Sequence, residues 1–157
     1  MERTDLIARE AIRDLLARYT WAADRGRTTE VAACFTADGA LDVGDHGGRL
    51  VGPEAIAHDL DDVVARTASS AASTEAETGT DGRSPVRHHV TSVAIALDTH
   101  AAATVRSYFL VLTRIGLDHW GRYRDQVVET APGDQWLFRE RVVIIDGRSP
   151  GSLMVPA

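Results

Sequence analysis

The run VRHHVTSVAIALD (Val86–Asp98) is where the periodicity of the chain changes. From here apolar and polar residues alternate, as they do in strands with one buried face. Three further runs follow: AAATVRSYFLVLTRIG (101–116), HWGRYRDQVVET (119–130) and QWLFRERVVIID (135–146). The separators DTH and APGD are short and turn-like, so consecutive strands are predicted to be antiparallel neighbours. Each run exceeds the usual strand of roughly five or six residues. Strands that long twist and curl, which predicts a curved antiparallel sheet.

Everything before this run reads as helix or short connection. TDLIAREAIRDLLARYTWAADRG (4–26) repeats apolar side chains at helical steps through Ile12, Leu15, Leu16, Tyr19 and Ala23. Thr4 is its expected N-cap and Gly26 its stop. TTEVAACF (28–35) predicts a short second helix and GALDV (39–43) a brief strand. GDHGG is a turn, and GPEAIAHDLDDVVARTA (52–68) is a third helix with proline in its first turn. The small, polar stretch at 68–85 has no hydrophobic period and predicts a flexible connection. Helices followed by a long meander give an α+β class, read as one domain over 1–157 with a C-terminal tail at 148–157.

Composition narrows the function. The net charge of −6 and the dispersed arginines argue against nucleic acid as the main partner. A single cysteine, Cys34, excludes an internal disulfide framework and reads as a small core residue. The N-terminus carries charges and no apolar signal segment, and no run reaches the length of a membrane span, so the expected location is cytoplasmic. His46, Asp45, His88 and His89 show no metal-ligand spacing. The glycines of GDHGG match no phosphate-binding loop.

Two residues stand out. In an unbroken strand His89 shares a face with Val93, Ile95 and Leu97, while His88 shares one with Ala94 and Ala96. The bulkier set places His89 inside and His88 on the back face, unless a bulge reverses the parity. Asp24 is the other. It ends the first helix, where exposed carbonyls make the field negative and disfavour a carboxylate.

These segments together resemble the SnoaL-like branch of the nuclear transport factor 2-like superfamily, over about Leu6 to Gly147. The ordered features are Tyr19-x4-Asp24-x-Gly26, GPEAI, RHH opening a strand and GRYRD. The resemblance implies a cone-shaped α+β barrel with about three N-terminal helices on the concave side of the sheet and an apolar pocket. In dehydratase-like members an aspartate ending the first helix pairs with a histidine opening the first long strand. The counterparts are Asp24 and His89, and Tyr19 matches a tyrosine of the bile-acid dehydratases. Scytalone-type dehydratases add a histidine on the next strand. The nearest residue here is Arg114, which can polarise a carbonyl but cannot act as a base.

The expectation is therefore a cofactor-independent lyase or isomerase acting on a hydrophobic ring-containing metabolite, polyketide- or steroid-like. His89 is the candidate base, Asp24 its orienting partner and Tyr19 a donor. Trp21, Phe109, Arg114 and Tyr123 are candidate substrate contacts. A non-catalytic binding or assembly protein, and a cyclase or epoxide hydrolase using Asp24 or Asp125, are the alternatives. The outer face of so long a sheet predicts a homodimer or homotrimer.

Overall fold

The computed structural model describes residues 2–70, 85–131 and 135–155. In chain order they form α1 (Arg3–Asp24), α2 (Thr28–Ala32), β1 (Phe35–Asp42), β2 (Arg49–Val51), α3 (Pro53–Ser70), β3 (Arg87–Thr99), β4 (Ala102–Thr113), β5 (Gly116–Glu129) and β6 (Trp136–Arg148). α3 runs to Ser70, and most of the connection expected at 68–85 lies outside the described residues.

The amphipathic reading of α1 holds: Ile12, Leu15, Leu16 and Tyr19 are buried, with Ala22 rather than Ala23 completing the stripe. Its start differs from expectation. Thr4 lies inside the helix, and the cap position is Glu2, whose side chain makes no capping bond. Its end is as expected. Gly26 takes the left-handed conformation (φ 62°) that stops a helix, and its N–H bonds back to the Ala23 carbonyl.

The six strands lie in the order β2-β1-β6-β5-β4-β3, an open sheet with β2 and β3 at its edges. The four long strands form the antiparallel meander read from the sequence. β1 joins it in parallel beside β6, so the sheet is mixed. The helices pack on the inner side, where Ile12, Leu15 and Leu16 of α1 and Ile56 of α3 meet Val105, Val127 and Phe138 of the strands. Each such side chain contributes roughly 1.5–3 kcal/mol by leaving water.

Register shifts interrupt the pairing at several points, and three of them bear on which side chains near the candidate site look inward. In β3 the pairing slips between Thr91 and Ala94, where Ser92 has a positive φ of 51°. In β5 it slips where Val111 pairs with His119 but Leu112 pairs with Leu117, leaving Asp118 as the extra residue. Between β5 and β6 it slips at Trp120 and Gly121. A side chain at Gly121 is sterically excluded, since its Cβ would lie 1.9 Å from the Ile144 carbonyl oxygen.

The inner face carries one fully buried ion pair. Arg141 Nε and Nη2 donate to the two oxygens of Asp125 at 2.9 and 2.7 Å. The guanidinium lies between the rings of Tyr19, Phe138 and Tyr123, 4.1 to 4.2 Å from each centroid. Tyr123 stacks on Phe109 at 4.4 Å, and Phe109 meets the edge of His119 at 5.8 Å. A continuous column of flat groups thus runs from Phe138 to His119.

Candidate active site

Asp24 ends α1 and projects toward the first residues of β3. Its Oδ1 accepts the backbone N–H of His88 at 2.9 Å and faces the ring Nδ1 of His88 at 2.7 Å. An ionised carboxylate only accepts, so Nδ1 is the donor, and in the neutral ring Nε2 is the nitrogen with the lone pair. Two donors on one oxygen explain how an aspartate is held at the negative end of a helix.

The partner is therefore His88 and not His89, which corrects the parity reading. The bulge at Ser92 exchanges the faces of β3. His88 and Val90 before it look the same way as Val93, Ile95 and Leu97 after it, while His89 is exposed. The clue was in the sequence. Val86 and Val90 are in phase with His88, whereas Val93, Ile95 and Leu97 are out of phase, and the change falls at Thr91–Ser92.

His88 pairs across the sheet with Val111, and Val111 with His119. Two strand spacings put the two histidine backbones about 10 Å apart on the same inner face. His119 Nδ1 lies 2.8 Å from Asp118 Oδ1, so this ring too is held by a carboxylate through Nδ1. Its pKa falls below the usual histidine value because burial disfavours the cation, an effect that Asp118 only partly offsets. Asp118 is completely buried. Burial alone would raise its pKa, but hydrogen bonds from Ser152, the Leu153 N–H and His119 outweigh that and hold it below the usual carboxylate range.

Around the histidines lies a small apolar cluster of Phe109, Val111 and Tyr123, with Val86, Val90, Val143, Ile145 and Met154 packed against it. These five outer members are only partly buried, and the His88 and Asp24 side chains are 12% and 9% exposed. The dyad therefore lies at a partly exposed edge of the inner face rather than in a sealed core. Burial raises the Tyr123 pKa strongly, so its phenol stays protonated and is available as a hydrogen-bond donor.

The other expected site residues separate. Phe109 and Tyr123 belong to the apolar cluster on the inner face beside the histidines. Tyr19 sits in the larger core cluster, packed edge-on against Phe35 and Phe138, and burial raises its pKa. Among the described hydrogen bonds none joins it to Asp24 or His88. Trp21 does not join this group. It is 60% exposed on the outer side of α1, beneath the Arg25 guanidinium, and borders a cleft of about 550 Å³ whose lining includes neither Asp24 nor His88. Arg114 lies in the β4–β5 turn, and the second histidine of the inner face is His119, which the sequence did not mark. Asp125 is bound by both oxygens to Arg141, which removes it as a free nucleophile or base. Cys34 is buried and its thiol pKa is raised by burial. No described helix is long and apolar enough to cross a membrane.

Comparison with known proteins agrees with this architecture. No curated protein matches the chain in sequence. Among solved structures, one from Novosphingobium aromaticivorans, provisionally described as a scytalone dehydratase, superposes with a TM-score of 0.73 at 22% identity, covering 95% of this chain and 91% of that one. ActVI-ORFA from Streptomyces coelicolor gives 0.69 at 20% identity over 88% and 97%. A variant of Rv3472, a Mycobacterium tuberculosis protein of unknown function, gives 0.70 at 26% identity over 90% and 77%. At these identities the first two likenesses speak for the fold alone. The model of the SnoaL-like domain matches residues 4–142, nearly the whole inner sheet and the helices over it, and the chain belongs to that family.

Proposed function

We propose that the protein is a cofactor-independent lyase or isomerase for a hydrophobic ring-containing molecule, with His88 as general base and Asp24 as its orienting partner. The supporting observation is the pair of hydrogen bonds from His88 to Asp24 Oδ1, which fixes the ring so that Nε2 is the free position of the neutral imidazole, next to the partly exposed apolar cluster that is the proposed substrate recess. His88 Nε2 removes a proton from the carbon next to a substrate carbonyl. The C–H electrons move into an enolate, whose oxygen accepts a hydrogen bond from Tyr123, and the departing β-hydroxyl takes its proton from the His88 imidazolium or from water. Loss of the hydroxyl as water completes a dehydration, and return of the proton to another carbon completes an isomerisation. His119, neutral and held by Asp118, offers Nε2 as an acceptor for a substrate hydroxyl at the far side of the recess.

The test is turnover of bicyclic β-hydroxyketones, followed by enone absorbance. His88→Ala lowers the rate about 10²- to 10⁴-fold, the usual contribution of a positioned base. His89→Ala, on the outer face, leaves it unchanged. Equal turnover by wild type and His88→Ala sinks the proposal. Solvent deuterium appearing in recovered substrate without enone formation shows proton abstraction without loss of the hydroxyl, and an isomeric product carrying the label selects isomerisation.

A further inference from the structure

Residues 149–155 contain no helix or strand, yet they are tied to the sheet at one residue. Ser149 N–H donates to the Asp118 carbonyl at 2.8 Å. Ser152 Oγ donates to Asp118 Oδ1 at 2.6 Å, and the Leu153 N–H donates to Oδ2 at 2.8 Å. The Val155 N–H then bonds back to Ser152 Oγ at 3.0 Å. Thr113 Oγ1 donates to Asp118 Oδ2 at 3.2 Å, which with His119 fills the carboxylate with four donors. Asp118 can reach them because it is the extra residue of the β5 bulge.

Met154 lies between the two last anchors. It packs against the cluster of Phe109, Val111 and Tyr123, beside the proposed substrate recess, and the next residue, Val155, is buried. An unbranched thioether is the side chain best able to adapt to the outline of a bound ring. We infer that Met154 is a specificity-determining residue, setting how many fused rings the recess accepts, and that Asp118 is the latch holding it there. The inference rests on the proposed substrate site but not on its chemistry.

The test is equilibrium binding of two ketones that differ by one ring, 2-acetylnaphthalene and 2-acetylanthracene, followed by probe fluorescence. In Met154→Ala the affinity for the three-ring ketone rises relative to the two-ring ketone by roughly tenfold. In Met154→Trp the ratio moves the other way. Ser152→Ala keeps Met154 but loosens the strap, and its ratio shifts toward that of Met154→Ala. Ratios within twofold of wild type in folded Met154→Ala and Met154→Trp overturn the inference, as does failure of both ketones to bind the wild type. Because no turnover is read, the two proposals fail separately. Shifted ratios in a protein without activity leave only the lyase reading in error, and unshifted ratios in an active protein leave only the role of Met154 in error.

Discussion

Val90 and Val93 look to the same side of β3 although three positions separate them. The residue between them that makes this possible is Ser92, with φ at 51°. A left-handed backbone strains any side chain with a Cβ, and a β-branched one most. Ser92→Val is expected to destabilise the protein by about 1–3 kcal/mol, and Ser92→Gly to be neutral or mildly stabilising. Urea denaturation of the two variants checks this, and equal midpoints would show that the bulge carries no strain.

The Asp125–Arg141 pair is fully buried, so removal of one partner leaves a charge without compensation. Asp125→Ala is expected to cost about 3–5 kcal/mol. The double replacement Asp125→Leu with Arg141→Met should recover much of that loss. A double variant no more stable than Asp125→Ala contradicts the assignment.

Stability should fall on mild acidification. His119 has a folded pKa below its unfolded value near 6.5, so the unfolded chain takes up a proton first. Its contribution is complete above that value and is lost as pH falls toward the folded pKa. Asp118, also depressed, contributes above its unfolded value near 4 and loses that contribution at lower pH still. Urea midpoints between pH 7.5 and 5.5 should drop in wild type and flatten in His119→Gln, with an unchanged slope as the contrary result.

The outer face of the sheet leaves Tyr108, Leu112, Leu117 and Trp120 substantially exposed. Leu112 and Leu117 are paired neighbours on that face. A second copy of the chain is the proposed cover, giving a homodimer or homotrimer. Light scattering at micromolar concentration should show an oligomer, and Tyr108→Glu should shift it toward monomer. A monomeric wild type counts against the proposal.

The reach of the sequence follows from what periodicity can carry. Helix stripes and strand alternation predicted α1, α3 and the four-strand meander, since burial itself imposes those periods. The misplaced charge at Asp24 was equally legible, because a helix end has a known field. The identity of its partner was not, since a single bulge inverts every later side chain and strict alternation does not contain one. Asp118 and His119 escaped for the same reason: two consecutive inward residues look like noise in a period of two. The parallel place of β1 beside β6 depends on a contact between distant segments, which no local pattern encodes.

That parallel pairing also orders events in time. Ala40 of β1 is matched to Glu140 of β6, so β1 has no place in the long-stranded sheet until a strand one hundred positions further on has been made. Closing so long a loop is slow compared with zipping adjacent hairpins. The β3–β6 meander therefore assembles first and β1 with its helices docks onto it. A nascent chain arrested before Trp136 emerges from the ribosome should leave α1 open to protease, with protection arriving only once β6 is free to fold.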